Sequence, residues 1–257
     1  VRYVVFFALW IYLTYRIKKL SLQEDQFGGI IYFEKIEMTS KIFIFVFAVS
    51  FSLFSIDWLM SLDAHWYSTI YVVKKFIMAF FHGAAVITAI VIILHKLGYF
   101  PMFTKKHMGD FSRYIWALSL IWGYIWLSQY LLIWYANIPE ETIYYIPREL
   151  GEFKTLFYVE LIMNWAFPFF FLMWNRIAKN QNLVLFAVIV LIIGQWVELY
   201  MSIMPGTVNN DGISFIEVGT FVGSFGLFAL VVGQSLSKLP IIPKNHPYLI
   251  ESTTEEH

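Results

Sequence analysis

Seven long apolar runs constrain this sequence more than any other feature. They lie near residues 1–15, 42–62, 76–95, 114–136, 155–174, 183–204 and 213–236. All but the first reach the roughly 20 mostly apolar residues that a helix needs to cross a bilayer. A backbone in hydrocarbon must satisfy its own hydrogen bonds, which leaves only helices and closed barrels. Barrel strands would alternate in polarity over about ten residues, whereas these runs are continuous. The expected fold is therefore all-α, a polytopic transmembrane helix bundle of about seven spans. Composition agrees: 59% of residues are hydrophobic and 14% charged, against about 45–50% and 25% in soluble domains.

Several function classes are excluded at once. The 18 basic and 18 acidic residues balance, so there is no basic excess for nucleic acid. The absence of cysteine rules out disulfides, thiolate-held iron–sulfur clusters and catalytic thiols on this chain. A di-haem b protein needs paired histidines on facing helices at matching depth. Only His82 lies well inside a run, and His95 is on the same helix about 20 Å away. A haem–copper site needs more histidines, a retinal site needs a lysine in the last run, and no phosphate-binding P-loop is present.

The reading assigns 1–238 to a transmembrane domain and 239–257 to a cytoplasmic C-terminal tail. That tail carries three prolines and a polar Glu251–His257 end, and is expected to be extended and partly disordered. The first run is short and the chain starts at Val1 without a signal-peptide pattern, so it reads as a fragment lacking its N-terminal part. Thirteen Lys and Arg fall on one side, from Arg16 to Lys244. Five fall on the other, Arg2, Lys74, Lys75, Arg148 and Lys154. The bias places the C-terminus in the cytoplasm.

Ionisable groups within apolar runs are costly and mark candidate sites. Here they gather toward the outer side. Asp57 is near the outer end of the second run and His82 in the outer half of the third. Glu160 is in the outer half of the fifth, Glu198 about two-thirds of the way out along the sixth, and Glu217 at the outer start of the seventh. The loop after the second run adds Asp63 and His65. One reading is a hydrated outer cavity relaying protons; the other is interfacial snorkelling and satisfied helix ends. Glu160 and Glu198 should sit at similar depth and, if close, share a proton, with Asp57 and His65 linking them outward. Gln129, Asn164 and Gln195 read as interhelical hydrogen bonds. Trp116, Trp122, Trp126, Tyr130 and Trp134 crowd the fourth run; Trp126, Tyr130 and Trp134 are weak candidates for stacking a quinone, against an aromatic belt or bundle core. Pro168 predicts a kink, and Gly219 with Gly223 a close helix contact. The Asp57–Ser68 loop, aromatic and free of Lys and Arg, suits a covered interface.

Two segments are distinctive: Ser55-Ile-Asp-Trp-Leu-Met-Ser-Leu-Asp-Ala-His-Trp-Tyr-Ser-Thr-Ile-Tyr71 and Leu127-Ser-Gln-Tyr-Leu-Leu-Ile-Trp-Tyr-Ala-Asn-Ile-Pro-Glu-Glu141. With Trp196-Val-Glu-Leu-Tyr200 and the following Pro205, they resemble the F subunit of bacterial alternative complex III, a quinol:cytochrome c (or oxidase) oxidoreductase. That subunit belongs to the NrfD-like, polysulfide-reductase membrane-subunit family. The sequence departs from the family pattern at Ala64, Lys74, Lys75 and His82.

The resemblance implies a ten-helix subunit of which this chain holds the last seven, in a bacterial inner membrane. It implies no cofactor on this chain, with haem c and iron–sulfur clusters on partner subunits and quinol as substrate of the complex. The implied partners are an NrfD-like C subunit, an iron–sulfur subunit, multihaem and monohaem cytochromes c, small membrane subunits and a terminal oxidase, together with lipid. The implied role is to scaffold the complex without a redox centre, with a proton half-channel or quinone contact. Two other readings stand beside it. One is a stand-alone secondary transporter or ion-translocating protein, disfavoured by Pro168 being the only proline in the core of a run. The other is a purely structural anchor, which makes the outer acids dispensable.

Overall fold

The computed structural model describes residues 2–207 and 213–249. Among them there is helix and no strand. The polar Glu251–His257 end lies outside the described residues. The order is α1 (Arg2–Phe27), α2 (Ile30–Phe54), α3 (Thr69–Lys96), α4 (Lys105–Ala136), the short α5 (Pro139–Thr142) and α6 (Ile146–Glu149), α7 (Lys154–Leu161), α8 (Phe167–Leu172), the short α9 (Asn175–Ala178), α10 (Gln181–Thr207) and α11 (Phe215–Ser237). A π-turn at Ser55–Leu59 and a 3₁₀ turn at Met60–Leu62 prolong α2, and a π-turn at Ile162–Ala166 joins α7 to α8.

Six helical stretches are long and apolar enough to span a membrane: Ile30–Leu62, Thr69–Lys96, Lys105–Ala136, Lys154–Leu172, Gln181–Thr207 and Phe215–Ser237. The chain is thus a multi-pass membrane protein by length and composition. The run at 1–15 does lie in a helix, α1. Its uncharged part extends only from Tyr3 to Tyr15 before Arg16, Lys18 and Lys19. At about 1.5 Å per residue that covers roughly 20 Å of a 30 Å hydrocarbon core, so six spans are supported and the seventh is not confirmed. Helices also start earlier than hydropathy suggests. α3 begins at Thr69 rather than 76, because Tyr71-Val-Val73 carries it past two lysines.

The chain divides into two compact units. One comprises the residues up to Phe54 together with the chain from Gly226 onward; the other is Ser55–Phe225. In the first, Gly28 and Gly29 adopt φ of 66° and 93°, a left-handed turn open to glycine. That turn folds α1 and α2 into a hairpin, which Trp10 Nε1 fastens to Ser50 Oγ at 2.8 Å.

In the second unit α3, α4, α7–α8 and α10 pack together. Their core includes Phe81, Ile92, Met108, Ile115, Trp122 and Leu191, all essentially without exposure. Helix ends are defined locally. Thr104 and His107 form a reciprocal cap at the start of α4, and Asn137, at φ 49°, stops it before Pro139. The π-turn directly precedes Pro168, which has no amide hydrogen to continue the regular ladder. The break lets Asn164 Nδ2 donate to the Gly194 carbonyl at 3.0 Å and its Oδ1 accept from Gln195 Nε2 at 3.0 Å.

Two glycines make these contacts sterically possible. A Cβ on Gly123 would lie 2.2 Å from the Trp165 ring, and one on Gly194 would lie 2.7 Å from Asn164 Oδ1. By contrast, a Cβ on Gly219 or Gly223 would meet nothing within 4 Å, so the expected close contact there is not made among the described residues. Gly123→Ala and Gly194→Ala should each cost about 1–3 kcal/mol through overpacking, while Gly219→Ala should cost nothing measurable. Thermal unfolding in detergent compares the three.

Candidate functional site

Four charges meet inside the second unit. Lys74 and Lys75 come from the first turns of α3, Glu160 from α7 and Glu198 from α10. They are 6%, 1%, 3% and 1% exposed. Because α3 and α7 enter as α10 leaves, positions five to nine residues from the respective helix ends fall at comparable depth, about 8–14 Å in. Lys74 Nζ stands between the two acids, 3.5 Å from Glu160 Oε1 and 3.9 Å from Glu198 Oε1. Lys75 Nζ is 3.3 Å from the same Glu198 oxygen and also donates to Ser202 Oγ, one turn along α10.

The tryptophans of α4 complete the shell. Trp122 and Trp126 are four residues apart, hence on one helix face. Trp122 Nε1 donates to Glu198 Oε2 at 2.6 Å and Trp126 Nε1 to Glu160 Oε1 at 3.2 Å. Lys74 Nζ lies 5.8 and 5.9 Å from their ring centres, within range of a cation–π attraction. The cluster is neutral in sum, two ammonium groups against two carboxylates. An uncompensated charge at this depth would cost several kcal/mol.

The structure therefore brings Glu160 and Glu198 to one site, but with two lysines between them. Hydropathy leaves both lysines outside the apolar runs, just before the third at 76–95. A usable signal was present in the sequence. Tyr71, Lys74 or Lys75, and Met78 follow helical spacing, with Ser68 as a helix start.

The remaining candidates are distributed around this centre. His82 is half-buried on α3, seven residues past Lys75 and so two turns deeper on the same side. Asp63 is partly buried and accepts from Arg148 Nη2 at 3.4 Å. Asp57 lies in the π-turn after α2, half-buried, and His65 is exposed. Glu217 accepts from the Ser214 amide at 2.9 Å and from its hydroxyl, which is a helix-capping arrangement. Among the described residues, the ion pairs of the four-charge cluster do not include His65 or Glu217.

Arg148 also falls outside the apolar runs, yet it is 2% exposed. Its guanidinium lies 3.5 Å from the Tyr144 ring centre, its Nε donates to the Met201 carbonyl at 3.0 Å, and its Nη1 donates to the Tyr144 carbonyl. Trp66 stacks on Tyr144 at 4.0 Å and donates to the Glu141 carbonyl at 3.2 Å. The Asp57–Ser68 loop thus spends one tryptophan inside its own unit, while Trp58 and Tyr67 stay exposed. Burial pushes the Tyr144 and Tyr145 hydroxyls above the ordinary phenol range, so this cap carries no tyrosinate near neutral pH.

Beside the cap a cleft of about 480 Å³ opens between α4 and α5–α6, walled by Tyr130, Ile133, Trp134, Tyr145, Glu149 and Leu150. Tyr130 donates to Glu149 Oε1 at 2.9 Å and stacks on Trp126 at 5.7 Å. Of the three aromatics proposed for stacking, Tyr130 and Trp134 line the cleft. Trp126 lies behind Tyr130 and reaches the charge cluster instead.

Comparison with protein-family models gives no match, and comparison with curated protein sequences gives none either.

Lys75→Met should lower stability by about 3–5 kcal/mol, because it leaves Lys74 as the one ammonium group for two buried carboxylates. Pairing it with Glu198→Leu should recover much of that loss. Unfolding of the single and double variants in detergent measures the coupling.

Proposed function

We propose that this chain is an integral membrane subunit of a quinol:cytochrome c (or oxidase) oxidoreductase. It carries no redox centre of its own and supplies part of a proton path. The two long motifs support the choice of complex. The observation that carries the proton role is Lys74 poised between Glu160 and Glu198 at 3.5 and 3.9 Å.

The chemistry follows from that geometry. A proton arriving at Glu160 removes its charge and weakens its hold on Lys74. The ammonium then moves toward Glu198, which Trp122 and Lys75 keep in place. Loss of the proton reverses the shift. The site changes charge only transiently, and a lysine of about four carbons' reach can serve both partners without backbone movement. Arg148 holds Asp63 on the outer side of the same unit. A quinone contact, if the complex makes one through this chain, fits the Tyr130–Trp134 cleft better than the Trp126 face.

Purification through this subunit should bring down c-type haem and iron–sulfur proteins. Isolation as a haem-free homo-oligomer would refute the assignment. In the assembled complex, a Glu160→Gln, Glu198→Gln double variant should lose most proton release per electron, read with a pH-sensitive dye in proteoliposomes. Unchanged proton release with full assembly would refute the relay.

A further inference from the structure

A third buried acid lies far from the relay in sequence, in the other unit, and the proposed function does not use it. Glu24, near the polar end of α1, is 2% exposed, and its Oε1 is fully buried with no hydrogen-bond partner. It borders a cavity of about 320 Å³ between the α1–α2 hairpin and the chain after α11. That following segment is strapped down. The Lys244 amide donates to Asp25 Oδ1 at 2.8 Å, and Asn245 Nδ2 donates to the Asp25 carbonyl at 2.9 Å. Phe33 meets the His246 and Tyr248 rings edge-on at 5.4 and 5.3 Å. The strap makes a walled cavity out of what would otherwise be an open groove.

We propose that this cavity binds the ethanolamine headgroup of a phospholipid, with Glu24 receiving the ammonium group. A carboxylate this buried requires a cation or a proton donor. No group of three or more His, Asp or Glu able to hold a metal ion occurs among the described residues, which favours an organic cation. Lys18 lines the same cavity without pairing to Glu24, so one wall offers a positive charge and another a negative one. A zwitterion with phosphate and ammonium ends matches both. The other walls include Leu22, Phe33, Ile36 and Ile241, apolar surface suited to the glycerol and first acyl carbons. Lys18 follows the uncharged part of α1, which ends at Tyr15, by three residues and Glu24 by nine, about 5 and 14 Å along the helix, so both stand on its polar side. This inference is independent of the proton relay and of the identity of the complex.

The test uses native mass spectrometry of the full chain in detergent. It compares phosphatidylethanolamine with phosphatidylcholine of identical acyl chains, and with phosphoethanolamine without tails. A trimethylammonium group has no N–H to donate, so the unmodified chain should bind the ethanolamine lipid about ten-fold more tightly than the choline lipid, as expected from losing one charge-assisted hydrogen bond. Glu24→Gln should remove that preference, and Lys18→Met should weaken both lipids. Equal binding of the two lipids by the unmodified chain would overturn the proposal even if the variants fail to fold. Binding of tail-free phosphoethanolamine as tight as that of the lipid would overturn the lipid assignment. Filling of the cavity by a partner protein's lysine, seen as a protein cross-link to Glu24 in place of retained lipid, would overturn it as well.

Discussion

Burying charge in a medium that cannot solvate it is the constraint on which the second unit depends. Two carboxylates on α7 and α10 would be prohibitive alone, and so would two ammonium groups on α3. Together they sum to zero, and each finds partners at hydrogen-bond range. Once that neutrality is required, the depths of four helices are linked. α3 must enter far enough to deliver Lys74 and Lys75. α4 must present Trp122 and Trp126 on one face, and α7 and α10 must bring their acids level. The surrounding apolar packing fills the space, but the charges fix the register.

Close backbone approach serves the same end. The π-turn before Pro168 turns Asn164 toward α10, and Gly194 gives it room. This pair lies one turn deeper than the acids on the same two helices, since Asn164 follows Glu160 by four residues and Gln195 precedes Glu198 by three. A polar layer therefore continues inward from the charged one. Gly123 has the matching role on α4, where its missing side chain admits the Trp165 ring. Arg148 closes the other side: one guanidinium ties the α5–α6 segment, the end of α10 and Asp63 together.

The aromatic residues acquire specific jobs in this setting. Trp122 and Trp126 act as hydrogen-bond donors to buried acids rather than as membrane anchors. Trp66 and Tyr144 form a stacked lid with Arg148, and Tyr130 forms the wall between the cleft and Trp126. The same residue type thus has three uses, distinguished by what its polar edge can reach.

The sequence by itself determined that the chain is helical and crosses a membrane, because backbone satisfaction in hydrocarbon leaves little choice once the apolar runs are long enough. It also determined that Glu160 and Glu198 are out of place in those runs and that Asn164 and Gln195 need partners, because an apolar surround makes any polar residue conspicuous. Only the tertiary structure decided what compensates them. Lys74, Lys75 and Arg148 look like loop charges when hydropathy sets the helix limits, since a sliding apolar window ends wherever a lysine appears. Their burial depends on acids some 85 to 125 residues away, and no local pattern encodes a counter-charge at that separation. The same holds for Glu24, whose enclosure depends on a C-terminal segment folding back more than 200 residues later.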